Sequence, residues 1–468
     1  MNYLLGGYIM ELLTDVTLFK HRIWAFEYAD RMEKWFNGLG QAPIRIDVEP
    51  HTRCNLNCRI CARRGSVYEK LSENERKRME LPPKKWIQIA EESGKMGVKA
   101  WNISGLCEPL ARPDILIPLM KMIKAYDMFG ELTTNGTLWN EKYIKETIEM
   151  GWDSICISID SHKAKIHDYL RGVKGTFKKS TNTFRKFSQM KKRYKTNLPV
   201  LTLNVVLNKL NYLNLPEIIK MADNLGADSI FVEPIVVFNE ECKKLKMNEN
   251  DIEKFQEIVV ESKKMANEYG IVLDVTAIAP GKAFSGEKKF DEDLIKKTGN
   301  IKEILINESK KFSDEILSIP CYYPWFFMMI RADGSVTHCG EWKEGEDNIR
   351  NKSLKEVWFG KTFSEIRKKF RNGELSSYCE KCRPNVIEDA RNVRKSILEF
   401  RDLNFLRRKY LELLQENKEL KQELLLFKRM GLKDERCIQC KYKKEIEKFK
   451  NSLTYKVFSI FWNMKFKK

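Results

Sequence analysis

The stretch IRIDVEPHTRCNLNCRIC, residues Ile44 to Cys61, decides the fold. It opens with a short β-rich run, Ile44 to Val48, and the loop that follows carries Cys54, Cys58 and Cys61 in a C-x3-C-x2-C spacing. Three thiolates this close together can hold three irons of a 4Fe-4S cube and leave the fourth iron without a protein ligand. An iron left open is where chemistry can happen. The rival reading of the trio is a zinc site, which needs a fourth ligand at tetrahedral geometry, and His51 is the residue placed to supply it.

Outward from this stretch, the chain alternates β-rich runs with helical ones as far as about Val275, the pattern of successive βα units around a parallel sheet. Six runs read as strands: Ile44 to Val48, Ala100 to Ile103, Gly130 to Thr133, Ser154 to Ile159, Val200 to Val206 and Ser229 to Val232. A weak repeat supports them, because Gly97, Gly151 and Gly226 each end a helical segment just before a strand. The fold class expected is α/β, a partial (β/α)6 TIM-like barrel over residues 43–276, behind an amphipathic helical lead-in over 1–42. In such architectures the loops after the strand carboxyl ends form the active face, and the cysteine loop occupies that position after the first strand.

Residues 277–320 read as a lysine-rich linker with a short helix. A small α+β module follows over 321–395, in which Cys321 and Cys339 bracket a hairpin of Phe326 to Ile330 and Val336 to His338, with Cys379 and Cys382 supplying a second pair. Four thiolates fill a cluster, so this second site would carry electrons or support structure; a zinc ribbon is the alternative. Over 396–430 apolar residues recur at spacings of three and four from Leu403 to Phe427, with Asn417 among them. That is the seam of a coiled-coil homodimer, or of one long helix lying back on the barrel. The tail, 431–468, carries Cys437 and Cys440 and is basic with interleaved aromatics. It suits an anionic membrane surface, internal packing or a partner helix.

Twelve cysteines, nine of them clustered at short spacing, point to metal binding in a reducing compartment. Cys107, Cys156 and Cys242 stand singly and read as packing residues. The chain of 468 residues is 43% hydrophobic and has no apolar run near the ~20 residues that span a bilayer. With no basic leader before the opening apolar patch, the expected location is the cytoplasm. The net charge of +19 attracts anions, but no base-reading nucleic-acid motif accompanies it, and lysines spread along solvated helix faces explain it as well.

The cysteine spacing, its preceding strand and the βα units after it together resemble the radical S-adenosylmethionine (SAM) superfamily. The resemblance implies that the open iron binds SAM and that a one-electron reduction, from a donor such as ferredoxin or flavodoxin, yields a 5'-deoxyadenosyl radical. Ile60, where the superfamily often has an aromatic residue, would then touch adenine. Ser104 to Pro109 is similar to the glycine-glycine-glutamate-proline motif, with Gly105 in its turn and Glu108 accepting the SAM ammonium. Asn135, in Thr134-Asn135-Gly136-Thr137, and Ser158, Asp160 and Arg171 match the next stations around SAM. The second cysteine set resembles the SPASM and twitch extensions of these enzymes. Glu388 stands where a full SPASM domain has a further cysteine, which favours one auxiliary 4Fe-4S cluster.

The reaction expected from this resemblance is hydrogen abstraction leading to net oxidation of a small, sugar-linked or lipid-linked molecule, because the lead-in is short for a peptide-binding domain. Peptide maturation is the alternative within the superfamily. An iron-sulfur electron carrier or a zinc-stapled scaffold is the alternative outside it.

Overall fold

Strand β1 (Arg45–Val48) sorts its side chains to two environments, since successive residues of a strand point to opposite faces. Ile46 and Val48 are fully buried in the main apolar core, while Arg45 and Asp47 face the other way and pair with each other at 2.6 Å. The same alternation runs through β2 (Ala100–Ile103), β3 (Phe129–Thr134), β4 (Ser154–Ser158), β5 (Val200–Leu207) and β6 (Ser229–Pro234). Each of the six pairs in parallel with the next, and β7 (Val272–Asp274) extends β6. The computed structural model describes residues 25–275, 300–340, 347–382 and 386–402. The 403–427 seam, Asn417, Cys437, Cys440 and the basic tail lie outside the described residues.

Crossover helices α1 (Pro83–Met96), α2 (Pro113–Ala125), α3 (Glu141–Glu149), α4 (Thr176–Tyr194), α5 (Leu215–Leu225) and α6 (Glu249–Glu268) return the chain from each strand to the next. They cover the outer face with one apolar core that includes Trp86, Trp101, Leu132, Ile157, Leu203 and Ile230. The three glycines of the sequence repeat all adopt positive φ, +87° at Gly97, +68° at Gly151 and +76° at Gly226, which ends each helix and turns the chain into its strand. All six expected strands are present, and β7 is a seventh.

The cysteine module is less separate than its sequence implies. Its hairpin, β8 (Phe327–Ile330) and β9 (Ser335–Thr337), is antiparallel as expected, but β8 also pairs in parallel with β1, Arg45 opposite Phe327 through Val48 opposite Ile330. With β10 (Asp347–Asn348) the result is one sheet of ten strands in the order β10-β9-β8-β1-β2-β3-β4-β5-β6-β7. Helices α7 (Leu354–Trp358) and α8 (Lys361–Arg371) close the module, and α7 packs on α1. Within the segment read as a linker, the helix Ile301–Ser309 places Leu305 in the lining of the four-cysteine cavity. The lead-in holds a helix, Ala25–Phe36, whose Tyr28 ring lies 5.1 Å from that of Phe326.

Residues as far as Val393 form one unit and those from Arg394 a second. Among the described residues no helix is long and apolar enough to cross a membrane. The outer core sets the stability of the barrel, so Trp101→Ala, which empties a fully buried site and removes the indole bond to Ser93 Oγ (3.0 Å), is expected to cost about 3–5 kcal/mol, read as a lowered denaturant midpoint.

Candidate functional site

The cysteine loop is irregular backbone, so its shape has to be imposed from outside. Thr52 supplies the first anchor: its N–H (2.8 Å) and hydroxyl (2.7 Å) both donate to Glu80 Oε1. Glu80 is buried, and its other oxygen accepts from Arg53 (2.5 Å) and Arg112 (3.3 Å). Burial opposes the charge, but the bonds from Thr52 and Arg53 hold the carboxyl below its ordinary range. Arg63 and Arg76 donate to the Thr52 carbonyl. Four guanidinium groups therefore gather at the start of the loop, and that of Arg63 works against the burial that raises Cys54 and Cys61.

Two further arms reach the loop from the strand ends, and the residues singled out in the sequence build them. In the first, Glu108 is buried and accepts from Thr134 Oγ1 (2.5 Å) and from the Asn135 N–H (2.7 Å), while its own N–H donates to the Arg53 carbonyl (2.8 Å). Asn135 then donates to Asn55 Oδ1 (3.0 Å), and Asn55 donates to Thr137 Oγ1 (2.8 Å). Burial raises the Glu108 carboxyl to about 7 against these bonds. In the second arm Arg171 donates twice to Asp160, at 2.7 and 2.8 Å, and stands beside the Cys58 thiol. Asp160 is fully buried, so its role in this structure is to hold Arg171 against the loop. At Gly172 a Cβ would come within 2.0 Å of the Asn57 carbonyl oxygen, so the chain after Arg171 lies directly on the loop.

Ile60 packs in a small apolar cluster with Leu170, Ile235, Cys242 and Leu245. Ser158 is buried at the end of β4. Gly105 has φ +109°, and a Cβ there would fall 2.2 Å from Glu49 Cγ, so only glycine fits.

The thiols fit a cluster. Cys54, Cys58 and Cys61 are unpaired and mutually close enough to raise one another's titration, and burial pushes Cys58 up to about 12. Such thiols become thiolates when a metal displaces their protons. His51 does not complete a zinc site: its Nε2 faces the Pro109 carbonyl (3.1 Å), its Nδ1 accepts from the Arg53 N–H (3.1 Å), and burial lowers its titration to about 4. Both ring nitrogens are occupied, so His51 is not the fourth ligand that a zinc site would need. Cys321, Cys339, Cys379 and Cys382 line a second cavity with Tyr323 and His338. Burial, then the neighbouring thiols, push Cys321 far up. Among the described residues no three His, Cys, Asp or Glu side chains group as ligands of a single ion.

Sequence reading missed the lumen of the barrel. The inward faces present Arg45, Asp47, Glu49, Asn102, Glu131, Asn204 and Glu233, and the same register places Ala100, Phe129, Cys156, Val200, Val206 and Phe231 beside them. Arg45 bonds Asp47 and Glu131 (3.2 Å), and Asn102 donates to Asp47 (3.0 Å). The signal was present as strict polar–apolar alternation in Arg45-Ile46-Asp47-Val48-Glu49. Glu80→Ala, which touches no thiol, is expected to reduce the iron bound per chain and to lower stability by about 3 kcal/mol, because Arg53 and Arg112 lose a buried partner. Iron analysis with thermal melting checks it; full iron loading would show that the loop keeps its shape without this anchor.

Comparison with known proteins agrees with this geometry. A model of the radical SAM superfamily matches residues 48–232, and a model of the SPASM iron-sulfur cluster-binding domain matches residues 321–383. The PqqA peptide cyclase of Gluconobacter oxydans is 28% identical over 192 residues, covering 41% of this chain and 49% of that protein. The chain thus spans about half the length of such curated relatives. The AdoMet-dependent heme synthase of Methanosarcina barkeri is 26% identical over 345 residues, covering 74% of this chain and 89% of its own. Among solved structures, SuiB of Streptococcus suis bound to the precursor peptide SuiA superposes with a TM-score of 0.51 at 19% identity, over 72% of this chain and 69% of that one. The likeness is one of fold. The chain carries a radical SAM domain, with the 4Fe-4S cluster and SAM that this domain takes, followed by a C-terminal SPASM iron-sulfur domain.

Proposed function

We propose that the chain is a peptide-modifying radical SAM maturase. The observation that carries the reading is a three-thiol loop set at the mouth of a polar barrel lumen, with a four-thiol cavity built onto the same sheet. When bound at Cys54, Cys58 and Cys61, the cluster and SAM supply a 5'-deoxyadenosyl radical that takes a hydrogen atom from a substrate carbon, leaving 5'-deoxyadenosine and methionine. The chain's own part is to position. Arg171 holds positive charge against Cys58, Glu108 and Asn135 tie the loops after β2 and β3 to the cysteine loop, and the lumen receives the substrate. Cys321, Cys339, Cys379 and Cys382 would hold the auxiliary cluster, and a ferredoxin or flavodoxin would deliver electrons.

The substrate differs from the sequence expectation of a small sugar-linked or lipid-linked molecule. Similarity to PqqA peptide cyclases supports a peptide, and the short lead-in does not oppose it, since an extended chain can be bound by the lumen itself. A second reading, chemistry of the heme synthase kind, has the longer alignment in its favour. The charge of the lumen weighs against it. Asp47, Glu131 and Glu233 outnumber Arg45 and Arg331 there, and Arg45 is already paired. Ionised propionates of a tetrapyrrole would meet net negative charge, whereas peptide amides offer neutral donors.

The test is anaerobic reconstitution of the full chain, followed by SAM, dithionite and synthetic peptides drawn from short reading frames beside its gene. The expected outcome is 5'-deoxyadenosine together with loss of two hydrogens from one peptide, and deuterium passing from labelled peptide into 5'-deoxyadenosine. Cys54→Ala should abolish both. Turnover of a tetrapyrrole with every peptide unchanged would select the second reading, and absence of 5'-deoxyadenosine with both clusters intact would remove the enzyme assignment.

A further inference from the structure

Two buried oxygens of the barrel have no hydrogen-bond partner among the described residues: Glu49 Oε2, at the end of β1, and Asn204 Oδ1, on β5. Their residues are 6% and 7% exposed. Each side chain is used on one side only. Glu49 Oε1 accepts from the Leu106 N–H (3.2 Å), and the Asn204 amide donates to Glu233 (3.2 Å). Leaving such atoms unpaired is unfavourable, and native proteins rarely do so without a reason.

Strand register gives both oxygens the same direction. Arg45 and Asp47 face the lumen, and Glu49 continues that alternation; its N–H donates to the Ile330 carbonyl (3.0 Å), which places it opposite Arg331. Asn204 pairs with Ser158 on β4 and with Phe231 on β6, on the inward face, while Leu203 and Val205 lie in the outer core. Around Glu49 stand Tyr68 from the loop after β1, Cys107 from the loop after β2, and Arg331 and Asp333 from the hairpin. The backbone at Gly105 lies so close that no side chain fits between it and Glu49.

We propose that Glu49 Oε2 and Asn204 Oδ1 are a pair of substrate acceptors, each taking an amide N–H or hydroxyl of the bound substrate, so that the pair sets which carbon faces the mouth of the barrel. Arg331 beside Glu49 disfavours a cationic group and leaves neutral donors as the class that fits. The choice of a peptide as the donor-bearing molecule rests on the function proposed above; the two oxygens do not. Burial pushes the Glu49 carboxyl upward, Arg331 working against it and Asp333 with it. A carboxyl raised in the folded state keeps its proton while the unfolded chain ionises. Its contribution to stability is therefore present below the ordinary carboxylate range and is lost as pH rises through the raised folded value.

The test uses the reconstituted full chain carrying E49Q or N204A. With the peptide that is converted by wild type, either substitution should raise the peptide KM about tenfold, by more than it lowers kcat, as loss of one well-placed bond predicts. A rise in the KM for SAM in place of the peptide KM would assign the oxygens to SAM and overturn the proposal. A second measurement needs no substrate: E49Q should melt above wild type at pH 8.5 by about 1–2 °C, with the gap closing at pH 4. E49Q melting below wild type at both pH values would make Glu49 a structural carboxylate and overturn its part. If no peptide is converted the function proposed above fails by itself, and the melting comparison still separates an unsatisfied Glu49 carboxyl from a structural one.

Discussion

Everything in this molecule depends on the two-sided alternation of its short parallel strands. Outward residues such as Ile46, Val48 and Trp101 are removed from water beneath the crossover helices, and that burial is the main favourable term holding the barrel. Inward residues include several that are ionic, and buried charge is tolerable only when paired. Arg45 meets this demand by bridging Asp47 on its own strand and Glu131 two strands away, which also pins the relative register of β1, β2 and β3. The inward face thus carries an ion-pair network that an all-aliphatic filling would not need.

That platform gives an irregular loop a fixed shape. The loop has no secondary structure of its own between Cys54 and Cys61, yet it is held by Glu80 through Thr52, by Asn135 through Asn55, and by the backbone bond from the Arg59 N–H to the Leu170 carbonyl (2.8 Å). The anchors come from different βα units, so the loop is constrained from several directions before any metal arrives. Such preorganisation matters because a metal centre with an open position keeps it only if no protein ligand can swing in. His51 illustrates the point. It is the imidazole nearest the trio in sequence, and both its ring nitrogens are already engaged.

Much of this was legible in the sequence, for reasons that can be named. The six strands, the helix-ending glycines and the cysteine spacings are local signals, and each is set by residues within a few positions of one another. Glu108, Asn135, Asp160 and Arg171 were found through resemblance, and the structure groups them as two arms on the cysteine loop. Three features were not legible. The parallel pairing of β8 with β1 joins residues nearly three hundred positions apart, and no local pattern announces it. The bond between Asp160 and Arg171 joins residues eleven positions apart, and spacing alone does not announce it. The lumen was missed because inward polar residues were read as parts of β-rich runs, when their alternation already marked one face as distinct from the other.

The pairing of β8 with β1 has a further consequence for how the two thiol sets act together. β1 leads into Cys54, Cys58 and Cys61, and β8 begins six residues after Cys321 and leads, through β9, to Cys339. Hydrogen-bonded neighbours in a sheet lie about 4.8 Å apart and do not slide without breaking their ladder. The separation of the two sites is therefore set by sheet geometry, where a flexible linker would have left it variable. Because Glu49 stands at the end of β1 opposite Arg331 on the hairpin, the same seam also shapes the inward face of the sheet. The two thiol sets are thereby tied to adjacent strands of one sheet, so neither can shift along the seam without breaking the ladder between β1 and β8.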